Sequence, residues 1–240
     1  MKLLLENWRK YLKEEVGFGQ GTPPEGEWYK KQTIIVEEAP KITKLRIFDF
    51  DETIAYTDSS VRVATPEGEK LEFDNQEDWD DFLLRSGDVE ELEKEGYQFD
   101  FSDYSRVNNP EENEMITNII SNIIEANKKN KDRELYVITA RGPEAVRPIR
   151  RYLKSLGLNP REFAGVIGLE GSSKRNEIEK IINRHLDEEG TTAIKSIHFF
   201  DDSEIHLADV RTLKQDFPEI EDIRLKRVIP GDILNVEHKR

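Results

Sequence analysis

"LRIFDFDETIAYT", residues 45–57, starts apolar and turns acidic: Asp49, Asp51, Glu52 and the following Asp58 fall within ten positions. The apolar half reads as a buried strand. Carboxylates this close repel one another, so their cost has to be met by a cation.

Four more apolar runs follow the same form: "ELYVITA" (134–140), "EFAGVIGL" (162–169), "IKSIHFF" (194–200) and "IRLKRVI" (223–229). Helical patterns lie between them. In "NPEENEMITNIISNIIEANKK" (109–129) Asn109 is the expected N-cap, Pro110 opens the first turn, and Met115, Ile116, Ile119, Ile120, Ile123 and Ile124 share one face. "PEAVRPIRRYLKSLG" (143–157), "SKRNEIEKIINRHL" (173–186) and "SEIHLADVRTLKQ" (203–215) supply three more. Strands alternating with amphipathic helices predict an α/β fold with a mainly parallel five-stranded sheet and helices on both faces.

The alternation breaks at about residues 56–109, a stretch rich in acids and aromatics, with "DWDDFLLRSGDVEELEKEG" (78–96) expected to be helical. It reads as a small cap inserted after the first strand, or else as a surface decoration. Between Pro66 and Glu114 there are 18 Asp or Glu against four Lys or Arg, which accounts for the whole net charge of −14. Such a surface repels nucleic-acid backbones and anionic membranes, so a polyanion has to approach from another side.

Upstream, "MKLLLENWRKYLKEE" places Leu4, Leu5, Trp8, Tyr11 and Leu12 at helical spacing, predicting an amphipathic helix over residues 1–16. It either docks on its own domain or serves as a tag for a protein partner. A glycine and proline linker follows (17–32), and the sheet domain spans 33–240. The linker's GxGxG spelling has no preceding strand, and no GxxxxGK[ST] occurs, so nucleotide-binding loops are not expected. With 240 residues, no cysteine, no apolar run near 20 residues and no secretory core, the chain reads as globular and cytoplasmic, without disulfides, thiolate metal sites or membrane spans.

Ligands of an open parallel sheet bind outside the carboxyl ends of its strands. There the sequence puts Asp49 and Asp51, then Thr139, Ala140 and Arg141, then Lys174 ahead of a helix, then Asp201 and Asp202. Any one Asp could be a helix cap, but four converging acids without cysteine or clustered histidine favour a hard cation, magnesium above others.

In order and position, "DFDET", "VIT", "SK" and "FFDD" resemble the four motifs of the haloacid dehalogenase-like (HAD) superfamily, across Lys44 to Ile229. The resemblance implies a Rossmann-like HAD fold and phosphoryl transfer through an aspartyl-phosphate. Asp49 would be the nucleophile; Asp51 would protonate the leaving group, activate water and reach the metal through its carbonyl. Thr139, Ala140 and Arg141 would bind the substrate phosphate, and Lys174 would balance charge. Asp49, Asp51, Asp201 and Asp202 would hold Mg2+. Dehalogenases of the superfamily lack the second Asp, so Asp51 favours phosphatase chemistry. Two departures stand out: Glu52 occupies a position where many such phosphatases have glycine, and His206 one where a further Asp or Asn is common.

The "RG" after the second motif, the "DD" and the terminal "VIPGDI" resemble the phosphatase part of polynucleotide kinase/phosphatases and RNA-repair-associated HAD domains. That implies a 3′-phosphate on a nucleotide or nucleic-acid end, whereas the acidic insertion suits a small metabolite. Arg147, Arg150, Arg151 and Lys154 read as a solvated basic face. The aromatics Phe73, Trp79, Phe82, Tyr97, Phe99, Phe101 and Tyr104 are expected to pack the cap, with base stacking as the alternative. The N-terminal segment resembles those of tailed-phage proteins, which implies a packaging tag and host cytoplasm. It leaves open a non-enzymatic reading, a structural or interaction protein on a retained HAD-like fold.

Overall fold

The computed structural model describes residues 41–236; the helix and linker expected at 1–16 and 17–32 lie outside them. In chain order, β1 (Lys44–Phe48) and β2 (Ala55–Tyr56) lead into β3 (Val61–Ala64), β4 (Lys70–Phe73), α1 (Gln76–Ser86), α2 (Val89–Glu95) and β5 (Gln98–Asp100). Then come β6 (Glu111–Glu112), α3 (Glu114–Asn130), β7 (Arg133–Thr139), α4 (Val146–Ser155) and β8 (Gly165–Gly168). The chain continues through α5 (Lys174–Asn183), β9 (Ser196–Asp201), α6 (Glu204–Arg211), α7 (Leu213–Asp216), β10 (Asp222–Ile229) and β11 (Asp232–Asn235).

The molecule is α/β, with a mixed, mostly parallel sheet in the order β11-β10-β9-β1-β7-β8. All five expected strands are present and mutually parallel. A sixth, β11, corrects the expected count: it returns antiparallel on β10 through Pro230 and Gly231, the latter at φ 80°. Proline fixes the first turn position and glycine supplies the positive φ of the second, so "PG" makes a two-residue hairpin.

β1 is central and apolar because both its faces are covered. Phe48 joins Ile116, Ile120, Val137, Ile149 and Leu153 in one core, under α3 and α4. Leu45 and Ile47 join Ile138, Ile178, Ile182, Ile197 and Leu207 in the other, under α5 and α6. Phe48 lies opposite Val137 on one side and Phe200 on the other, which brings the carboxyl ends of three strands level.

The expected helix start at Asn109 is corrected by four residues. Asn109 takes a left-handed φ of 40°, Glu111 and Glu112 pair with Tyr56 and Ala55 as β6, and Asn113 caps α3 instead. A strand pairing 55 residues distant in sequence thus overrides a good local cap. The single helix expected over 78–96 is two, divided where Gly87 adopts φ 115° and Asp88 caps α2 through the Glu91 N–H.

The β2–β6 pair closes the neck of the insertion, whose own sheet has the order β4-β3-β5. Phe73, Trp79, Phe82, Tyr97, Phe99 and Phe101 form a continuous chain of ring contacts there, so packing accounts for six of the seven aromatics. No helix among the described residues is long and apolar enough to cross a membrane.

Candidate active site at the strand ends

Past Phe48 the chain leaves the sheet with Asp49, whose N–H donates to the Phe200 carbonyl at 2.9 Å. Phe50 turns back into the core, and residues 51–55 form a tight turn closed by bonds from the Ile54 and Ala55 N–H groups to the Phe50 carbonyl. Glu52, within that turn, has φ 51°. That is a left-handed conformation, which explains why glycine suits this position.

Lys174, the first residue of α5, is buried between two carboxylates: its Nζ is 2.7 Å from Asp49 Oδ1 and 2.8 Å from Asp201 Oδ2. Burial alone would discharge the amine, but the Asp201 and Asp49 charges outweigh it and raise its pKa above the ordinary lysine value. Asp49 is itself raised, by burial first and by Asp201 and Asp51, against the pull of Lys174.

Asp201 and Asp202 differ sharply in their surroundings. Asp201 is buried and satisfied, accepting from Lys174 Nζ and from the Ser203 N–H at 3.0 Å, with His206 Nδ1 3.1 Å from its Oδ1. Lys174 and His206 overcome its burial and hold its pKa down. Asp202 makes none of these bonds, and burial together with Asp49 and Asp201 pushes its carboxyl up to about 9. One ligand oxygen from each of Asp49, Asp201 and Asp202 lies within 4.8 Å of the others. An all-oxygen set in which burial and neighbouring carboxylates raise Asp49 and Asp202 fits a small hard dication such as magnesium. Asp51, the fourth expected ligand, stands outside that trio as a carboxylate.

Asp51 instead faces Arg141. The guanidinium meets it bidentately, Nε to Oδ2 at 2.7 Å and Nη2 to Oδ1 at 2.6 Å. Nη2 also donates to Thr57 Oγ1 and Ser59 Oγ at 2.9 Å each, and Nη1 to the carbonyls of Tyr104 and Arg106. The group lies 5.0 Å from the Tyr104 ring centroid and 5.6 Å from that of Phe50. All five donors are used, so Arg141 is occupied by protein atoms at the place where a phosphate grip was expected.

The loop carrying Thr139, Ala140 and Arg141 is pinned by the segment after β8. Leu169, Gly171 and Glu170 N–H groups donate to the carbonyls of Thr139, Ala140 and Arg141 at 3.0, 3.0 and 3.1 Å. Thr139 Oγ1 accepts from the Arg141 N–H at 3.2 Å, which leaves its own hydroxyl proton to be donated.

These groups enclose a pocket of about 60 Å3, into which Asp49, Thr139, Ala140, Lys174, Asp202 and His206 all open. The expected residues therefore converge from four separate segments. The insertion adds Asp74, Asn75 and Tyr104 to the rim, and its stem adds Thr57 and Ser59. Of these, the sequence singled out Tyr104 alone; a polar residue in a short loop carries no periodic signal, and only the fold-back of the insertion brings it here. Arg147, Arg151 and Lys154 are exposed on α4, as expected of a solvated face, whereas Arg150 is half-buried and donates from Nη1 to the Pro160 carbonyl at 3.4 Å.

No family model matches the chain, and no curated protein does. Among solved structures it is similar to Legionella pneumophila effector Ceg4 with an N-terminal yeast Hog1p sequence, at 15% identity and a TM-score of 0.40, over 80% of this chain and 90% of that one. A likeness of that size carries no weight for fold or function.

Proposed function

We propose that this chain is a phosphomonoester hydrolase with a Rossmann-like, HAD-type sheet domain, working through an aspartyl-phosphate on Asp49. The observation that carries the reading is the buried Asp49–Lys174–Asp201 chain beside the Asp202 carboxylate, opening on a pocket of about 60 Å3. That space suits a phosphoryl group, with the rest of the ester outside.

Asp49, Asp201 and Asp202 would hold Mg2+, which supplies charge neutralisation for the phosphoryl group when bound. Asp49, with Oδ1 held by Lys174, offers its other oxygen to phosphorus: a new O–P bond forms as the ester O–P bond breaks. Asp51 gives a proton to the departing oxygen. Water then attacks the phosphorus of the aspartyl-phosphate, gives its proton to Asp51, and releases phosphate and free Asp49. Lys174 and the Thr139 hydroxyl face the charge that develops on the phosphoryl oxygens.

A nucleotide or nucleic-acid 3′-phosphate end is the substrate this reading favours, since a strand entering by its end leaves its backbone clear of the acidic insertion. Asp74 and Glu52 at the rim favour a second reading, a small-metabolite phosphatase that excludes polyanions. Phosphate release from mononucleotides, 3′-phosphorylated oligonucleotides and sugar phosphates in magnesium separates the two. Asp49→Asn is expected to lower release by at least about 10³-fold with any of them, in line with loss of a covalent nucleophile. Unchanged release in that variant, or none from the parent protein with any ester, sinks the enzymatic reading.

A further inference from the structure

We infer that Arg141 is a positioning residue that fixes the orientation of Asp51 and makes it depend on the seating of the insertion; this rests on the phosphatase reading above. The two ends of the insertion reach the site at residues 57–59 and 104–106. Arg141 bonds both: Thr57 and Ser59 through Nη2, Tyr104 and Arg106 through Nη1. Its remaining edge, Nε with Nη2, is the edge that takes Asp51. Thr57 closes the triangle, donating from Oγ1 to Asp51 Oδ1 at 3.0 Å.

A carboxylate at the end of a tight turn has free rotation about two bonds, and a fork of two parallel N–H donors removes it. The fork is itself planar and buried, stacked near Tyr104 and Phe50, so it cannot turn to follow Asp51 elsewhere. Shifting either end of the insertion would strip acceptors from a buried guanidinium, a costly loss that couples the two segments. Arg141 bonds the Asp51 carboxylate, while Asp49 is held by Lys174 instead. Arg141 acts through Asp51.

The consequence is specific to the leaving group. An alkoxide needs the proton that Asp51 supplies; a nitrophenolate leaves without it. The test uses the full chain with magnesium and two esters, an alkyl phosphate and p-nitrophenyl phosphate. In Arg141→Lys, which keeps the charge and loses the fork, kcat/KM for the alkyl ester is expected to fall about 10²-fold or more, the usual range for misplacing a general acid. For the nitrophenyl ester it should fall less than about 10-fold, and inhibition by inorganic phosphate should stay within about twofold, as for a group that does not bind phosphate. Equal losses with both esters, or weakened phosphate inhibition, overturn the inference and return Arg141 to direct phosphate binding. If the parent protein hydrolyses neither ester, the failure belongs to the phosphatase reading instead. Thermal unfolding monitors the fold, and should Arg141→Lys not fold, Thr57→Val carries the same comparison, because it removes bonds to both Asp51 and Arg141.

Discussion

Glu52 holds a left-handed φ of 51° in the turn between the expected nucleophile and the insertion. A side chain in that conformation costs roughly 1–2 kcal/mol, part of which a glycine returns in unfolded-state entropy. Glu52→Gly is therefore expected to raise stability by about 0.5–1 kcal/mol, or a few degrees in thermal midpoint. A midpoint that falls shows that the Glu52 side chain contributes more than its backbone strain costs. The departure from glycine was readable from the sequence; the angle that explains it was not, because a turn's φ depends on how the chain re-enters at Ala55. The convergence of Asp49, Thr139 and Lys174 was legible for a simpler reason: each sits at the end of an element, and parallel strands in register bring those ends together. Arg141 was legible in place and not in contacts, since its partners at 57–59 and 104–106 come from an insertion whose path has no local signal.

Elements rather than residues decide how rigid the site is. The turn after β7 is held against the end of β8, and Gly168 is where the two backbones cross: a Cβ there would lie 2.3 Å from the Gly142 carbonyl oxygen and 2.6 Å from its carbon. Backbone cannot yield as a side-chain tip can. Gly168→Ala is expected to displace the 140–142 turn, costing about 1–3 kcal/mol by overpacking and lowering kcat/KM along with stability. A variant with unchanged unfolding midpoint and unchanged rate contradicts the role given to this crossing. β1, β7, β8, β9 and β10 were all visible as apolar runs, since a strand covered on both faces needs little else. The cap strands, two to four residues long and half polar, were not; α3 was visible, but its start was set by β6.

Across the whole molecule, basic groups also meet on the sheet itself. His198 lies on β9 (Ser196–Asp201) ahead of Phe199, in a row with Arg46 and Arg224 and 3.4 Å from Asp222. Burial first, then Arg46 and Arg224, lower its pKa to about 4 against the opposing pull of Asp222. The native state therefore disfavours the protonated ring, while the unfolded chain takes up a proton near the ordinary histidine pKa of about 6.5. This contribution to stability is complete above that pH and is lost as the pH falls towards 4. With solvent screening allowed for, it amounts to about 1–2 kcal/mol. Urea unfolding of the parent protein and His198→Gln at pH 7.5, 5.5 and 4.5 should show the gap between them closing as the pH falls. A constant gap removes His198 as the cause.

The β2–β6 neck joins Ala55 to Glu112 and Tyr56 to Glu111. Everything between enters and leaves the sheet domain at a single spot, two residues wide. An excursion anchored in that way leaves the pairing of the five parallel strands to themselves. That independence has a condition. Thr57, Ser59, Tyr104 and Arg106 travel with the excursion while Asp51 and Arg141 stay behind, so any replacement must also supply four new acceptors for the Arg141 guanidinium.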